Sequence, residues 1–339
     1  MTITKRIFCC ILVLALTATV FAGGQREAAD PTEPQRMNLR WSGMMSPTHA
    51  WVITAQDLAR EVAERTDGRI TIQFYPAGAL GTQADGIEML GTGDLAFLTS
   101  GPTIFSSYVP QAQLFMLPYV FDDLDHVRRV VQAPFIEEMF NEEILEKTGV
   151  RTLAWWYYGD RHLTTRNTPA RTPEDVTPLK IRSVDNPVAQ NVVLGLGGNP
   201  VPIAFDELYF ALQTGVADGQ ENPVTTIYDR KFFEVQNYMI ETRHNVHMGT
   251  VHVSERVWQS LSQEDRDMFV ELFDKYTVQV DQLIEELTEQ NLSDMKAAGL
   301  QVIEPDREAF RHHATSHINR VYGGDPQWSE ILQQIEALR

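Results

Sequence analysis

Cysteine is nearly absent from this chain of 339 residues. There are two, Cys9 and Cys10, side by side within the first apolar run. If that run is cut away, no cysteine remains, and disulfides, thiol catalysis and cysteine–zinc sites are excluded together. Positive charge is also scarce. Lys and Arg number 28 against 46 Asp and Glu, a formal net charge of −18. A nucleic-acid partner needs a basic footprint, so none is expected. After Phe21 no segment is apolar enough to cross a membrane. Catalytic signatures are missing as well. There is no His-Glu-x-x-His zinc motif and no Gly-x-Ser-x-Gly elbow. Gly195-Leu196-Gly197-Gly198 has its glycines misplaced for a dinucleotide turn. No residue pattern supports an enzyme, a cofactor or a metal.

What is present begins with a targeting pattern. Lys5 and Arg6 form a basic region, Ile7 to Phe21 is nearly all apolar, and Val20-Phe21-Ala22 offers a cleavage site. This reads as a cleaved secretory signal over residues 1–22. A single membrane anchor is the alternative, disfavoured because spanning takes about 20 apolar residues. Residues 23–36 are small, polar and Pro-containing, a flexible leader. The roughly 300 residues that follow suit two domains.

Leu39 and Trp41 read as an opening strand, and Ala55, Leu58, Ala59, Val62 and Ala63 as one helical face. Ile70, Ile72 and Phe74 alternate as a second strand. That order implies a parallel pair with a right-handed crossover. A helix, a glycine stop and a strand follow at Ala84–Thr99, and the same device recurs from Phe205, with Thr214-Gly215 as its stop. Ser262-Gln263-Glu264-Asp265 resembles a capping box. Apolar residues then keep helical spacing with no Gly or Pro before Gly299. An unbroken helix there would run roughly 54 Å, long enough to brace two lobes. Two helices or a coiled-coil dimer are the alternatives.

Arg182 ends the apolar run Leu179-Lys180-Ile181, so it should emerge at a strand's carboxyl end. Open α/β sheets bind ligands there, and a guanidinium fork suits a carboxylate. A surface ion pair is the bland alternative. Arg161 follows the aromatic run Trp155-Trp156-Tyr157-Tyr158 and the turn residue Gly159. Two arginines would compete for one carboxylate unless geometry separates them. Asn222 precedes Pro223 in Gln220-Glu221-Asn222-Pro223, which reads as a polar turn. Its amide could hold a ligand, or could simply make the turn. His313 and His317 are spaced i, i+4, but no carboxylate completes a metal site, and a solvated helix face is the simpler reading. His244 and His247 are read as interior or edge residues of a strand.

The ordered landmarks resemble the DctP-type solute-binding proteins of TRAP transporters. They are Ser46-Pro47 with His49, Thr66-Asp67-Gly68, Tyr75-Pro76 through Leu80-Gly81 and Leu117-Pro118-Tyr119-Val120-Phe121 with His126. Gly159-Asp160-Arg161, Thr172-Pro173-Glu174-Asp175, Leu179-Lys180-Ile181-Arg182 and Gln220-Glu221-Asn222-Pro223 complete the series. The resemblance implies an α/β periplasmic binding protein fold: two lobes, a central ligand cleft and a long helix bracing both. Lobe I would be 37–158 with 248–287, and lobe II 159–247 with 288–339. It implies Arg182, Arg161 and Asn222 on a ligand carboxylate, Phe205 lining the pocket, and a weaker contact from Gln83. Trp155 with Trp156, and Met44 with Met45, depart from the family's usual residues and suggest an apolar ligand tail. The expected protein is a periplasmic, non-enzymatic monomer that delivers an organic acid to TRAP permease subunits. A scavenger or sensor of hydrophobic acids on the same fold is the alternative.

Overall fold

The computed structural model describes residues 36–339. The expected signal over residues 1–22, and all but the last residue of the expected leader, lie outside the described residues. Among those residues, no helix is long and apolar enough to cross a membrane.

Nine strands build the frame: β1 (Met37–Gly43), β2 (Ile70–Tyr75), β3 (Phe97–Ser100), β4 (Val150–Thr165), β5 (Lys180–Ser183), β6 (Asn199–Pro202), β7 (Gly219–Pro223), β8 (Tyr238–Ser254) and β9 (Gln301–Ile303). Their order is β2-β1-β3-β8-β4-β7-β5-β6, with β9 added on β8. The first helix, α1 (Ala50–Arg65), carries β1 over to its parallel neighbour β2, as the alternating apolar residues predict. A second helix, α2 (Gln83–Thr92), leads into β3 and ends on the left-handed Gly93.

Two antiparallel strands, β4 and β8, tie the lobes together. The end of β8 pairs with β3 in lobe I, and its start pairs with β9 in lobe II. The second half of β4 pairs with β7. Between Tyr157 and Gly159 the β4–β8 register slips. Gly159 takes φ +117 there, a region that favours glycine. Bulges beside functional sites re-aim side chains, and this one lies next to Tyr158 at the crossing. On β8 only a glycine fits at 249, because a Cβ there would sit 1.9 Å from the Trp51 ring.

The long helix is a single 35-residue element, Gln263–Ala297. It holds lobe I through Arg69 on Asp265 at 3.0 Å and Tyr276 on Glu61 at 2.8 Å. Midway, Asp281 accepts the Tyr157 amide of β4 at 3.2 Å. Its far end buries Met295 in lobe II with Leu208, Leu212 and Ile227. The second apolar cluster of lobe II, around Ile181, Val193 and Phe310, includes residues of β5 and of helix Arg307–Tyr322.

Two sequence expectations change. Residues 288–339 do not all stay with lobe II. Helix Pro326–Glu336 returns to lobe I, where Trp328 and Ile335 join its core. The buried His126 meets the Ile335 carbonyl there at 3.1 Å. His313 is exposed and His317 half-buried, in keeping with a largely solvated face, and both also bond a neighbouring helix. They dock their helix onto helix Pro187–Gly195, through the Gly195 carbonyl and Asn191 Oδ1, each at 2.8 Å. Gln220–Pro223 is not a turn but most of the buried strand β7.

Candidate functional site

β7 lies between β4 and β5, so it brings Arg161, Glu221, Asn222 and Arg182 to one place. Arg161 Nη2 donates to Glu221 Oε1 at 3.0 Å, to the Glu221 carbonyl at 2.8 Å and to Asn222 Oδ1 at 3.1 Å. Its Nε donates to Glu221 Oε2. His244 Nε2 meets the same Oε2 at 3.1 Å. Burial works against ionised Glu221, yet Arg161 and His244 hold its carboxyl far below the usual range. Burial likewise opposes the Arg161 charge, and Glu221 more than restores it. The pair is neutral as a unit.

Arg182 differs. It is 4 % exposed. Its Nε donates to the Ile203 carbonyl at 3.0 Å. Among the described residues no carboxylate pairs with it, and its two terminal nitrogens have no protein acceptor. Burial pushes its pKa down to about 10, Glu221 resists that and Arg161 adds to it. The group stays cationic at neutral pH. A buried cation of this kind is stable only if something anionic completes it. The two arginines therefore do not compete for one carboxylate, since Arg161 already has one.

Phe205, half-buried, lies beside this cation with its ring centroid 5.7 Å from the Arg182 guanidinium carbon. The Arg230 guanidinium carbon lies 4.7 Å from the same ring. Arg230 follows helix Val224–Asp229. Asp229 at the end of that helix meets lobe I. Ser46 Oγ donates to its Oδ1 at 2.6 Å and Thr48 Oγ1 at 3.2 Å. Tyr158, from the bulge, stacks near Trp51 at 4.7 Å and near His49 and His247, both at 5.5 Å. Thr226 Oγ1 donates to its hydroxyl at 2.7 Å.

The structure thus brings Arg161, Arg182, Asn222 and Phe205 together. Gln83 is at the start of α2, half-buried, and makes no side-chain hydrogen bond among the described residues. Trp155 is half-buried, and its ring packs on Phe115 at 4.7 Å and Phe140 at 4.8 Å, against the lobe I core. Trp156 is fully buried against Trp41. Both aromatics contribute to packing in lobe I. Sequence reasoning missed Glu221, Arg230 and Asp229. Glu221 had a signal: an acid inside a segment beside a buried arginine needs that arginine as its partner.

Comparisons with known proteins identify the family. The profile of bacterial extracellular solute-binding protein family 7 (DctP) matches residues 41–325. The sialic acid-binding periplasmic protein SiaP of Vibrio cholerae is 36% identical over 258 residues, covering 76% of this chain and 80% of that protein. A TRAP periplasmic solute-binding protein of Chromohalobacter salexigens, solved with bound D-glucuronate, superposes with a TM-score of 0.82. It is 27% identical, over 89% of this chain and 100% of that one. Another, from Roseobacter denitrificans with bound L-galactonate, gives a TM-score of 0.79 at 29% identity, over 90% and 99% of the two chains. The family is one of binding proteins, not enzymes. The chain belongs to bacterial extracellular solute-binding protein family 7, the DctP-type solute-binding proteins of TRAP transporters.

Proposed function

We propose that this protein captures a hydroxylated monocarboxylic acid in the cleft between its lobes and hands it to the membrane subunits of a TRAP transporter. The single observation that carries the reading is Arg182, a buried guanidinium with no carboxylate partner among the described residues. The charges around the cleft support a monoacid. Arg161, Arg182 and Arg230 face Glu221 and Asp229, which leaves one positive charge for one ligand carboxylate. The named relatives take sialic acid, D-glucuronate and L-galactonate, each a single-carboxylate sugar acid. The reading includes a secreted, periplasmic monomer that docks on its permease.

Thermal-shift screening tests it, with D-glucuronate, D-galacturonate, L-galactonate, N-acetylneuraminate and succinate as probes, on protein refolded to strip carried-over ligand. A bound acid at 100 times its Kd adds about 2.7 kcal/mol of stability. A response to at least one sugar acid that exceeds the response to succinate is expected. Stabilisation by succinate alone, or by none of these acids, contradicts the reading.

Closure of the lobes is the binding step, because the closed state alone makes contacts from both sides. The bonds from Ser46 and Thr48 to Asp229 cross the cleft and hold that state. Asp229→Ala removes both. With about 0.5–1.5 kcal/mol per hydrogen bond, affinity is expected to fall about 5- to 150-fold, mainly through faster release. Stopped-flow dissociation measures this, and an unchanged off-rate counts against a latch.

A further inference from the structure

His49 closes the loop between β1 and α1 and caps that helix. Its Nδ1 accepts the Trp51 amide at 3.2 Å. An accepting Nδ1 leaves the hydrogen of the neutral ring on Nε2. The residue is 4 % exposed, and Nε2 is buried with no hydrogen-bond partner among the described residues. An unpaired buried donor is unfavourable and needs a reason.

The neighbours supply one. Tyr158 lies 5.5 Å from the ring and is itself 5.5 Å from His247, on the strand that also carries His244. The charges that act on His49 are Asp229 and Arg230, both across the cleft. Asp229 Oδ1 is already taken by Ser46 and Thr48, so it does not satisfy Nε2. Arg230 lies over Phe205, and Phe205 lies beside Arg182. A ligand with its carboxylate on Arg182 that extends along Phe205 would reach the Arg230 and His49 end of the cleft.

We infer that His49 is a specificity-determining residue whose Nε2–H donates to a hydroxyl or ring oxygen at the far end of a polyhydroxylated acid. This rests on the carboxylate reading of Arg182 given above. Burial drives the His49 pKa down to about 4, with Asp229 opposing and Arg230 assisting. At neutral pH the ring is therefore an uncharged donor. It selects for oxygen without adding a cation that would favour a second carboxylate. A site built to hydrogen-bond an oxygen rejects analogues that lack it far better than an apolar pocket rejects an extra hydroxyl.

The test uses two substitutions. His49→Asn keeps a strong helix cap but is too short to present the donor. His49→Gln has an amide nitrogen near the position of Nε2. Calorimetric titration with D-glucuronate, D-galacturonate and L-galactonate is run on wild type, both variants and Arg182→Ala, with thermal unfolding as a check on the fold. The sugar acid that binds is expected to bind about 10- to 100-fold more weakly to His49→Asn, with an unfolding midpoint near wild type. His49→Gln should recover part of that loss. An affinity for His49→Asn equal to wild type overturns the inference, and so does a His49→Gln variant as weak as His49→Asn. If Arg182→Ala binds the acid normally, or wild type binds none of the three, the carboxylate reading fails first and the His49 assignment falls with it.

Discussion

Arg182→Ala is expected to bind the acid about 30- to 4,000-fold more weakly than wild type, a loss of about 2–5 kcal/mol. The size follows from burial. In the complex a carboxylate in this cleft is out of water, and its partner cation is 4 % exposed. Removing one member of a buried pair leaves the other without solvation or a counter-charge. Arg161 does not take over, because Glu221 already accepts from its Nε and Nη2. Arg182→Lys should fall between the two, since an ammonium is a point charge without the planar fork. Calorimetry gives the affinities. Equal binding by wild type and Arg182→Ala means the carboxylate sits elsewhere.

Glu221→Gln is expected to act on the fold itself, lowering stability by roughly 3–5 kcal/mol in the absence of ligand. The amide keeps the shape but leaves the Arg161 charge buried without its counter-ion. Urea unfolding at pH 7 measures the loss, and a variant as stable as wild type would show that the pair does not hold the strands together. The pH dependence has a definite sign. The Glu221 carboxyl is depressed in the folded protein, so its contribution is fully present above about pH 4.5, the usual carboxylate value. It is lost progressively as pH falls from there towards and through the lower folded value. The wild-type advantage over Glu221→Gln should therefore persist down to about pH 4.5 and shrink progressively below it. Buried His162 and His252, each pushed down to about 3 by burial, add a loss common to both proteins. Each resists protonation when folded but not when unfolded. Stability therefore falls as pH drops below about 6.5, the ordinary histidine value, towards 3.

Much of the frame was legible in the sequence because it depends on local pattern. The β1–α1–β2 unit shows itself as two alternating runs around a helical face. The long helix shows itself as spaced apolar residues behind a capping box, with no breaker before Gly299. Arg182 could be singled out because a charge at the end of an apolar strand has few bland places to go. The rest depends on tertiary contacts that a single sequence does not display. Asn222-Pro223 looks like punctuation, yet β7 is buried between β4 and β5, where it presents Glu221 to Arg161. His49 is an uncommon helix cap, so nothing in the sequence marks the start of α1 at Ala50. Trp155 sits in an aromatic run whose facing cannot be assigned without knowing that Phe115 and Phe140 wait on the other side. Helix Pro326–Glu336 follows elements of lobe II in sequence but finds its apolar partners in lobe I.

The most direct measurement couples the ligand carboxylate to Arg182. The sugar acid identified by screening and its neutral amide are each titrated against wild type and Arg182→Ala, giving a four-corner cycle. The account predicts that wild type strongly prefers the acid and that Arg182→Ala loses most of that preference. An undiminished preference for the acid in Arg182→Ala would contradict it.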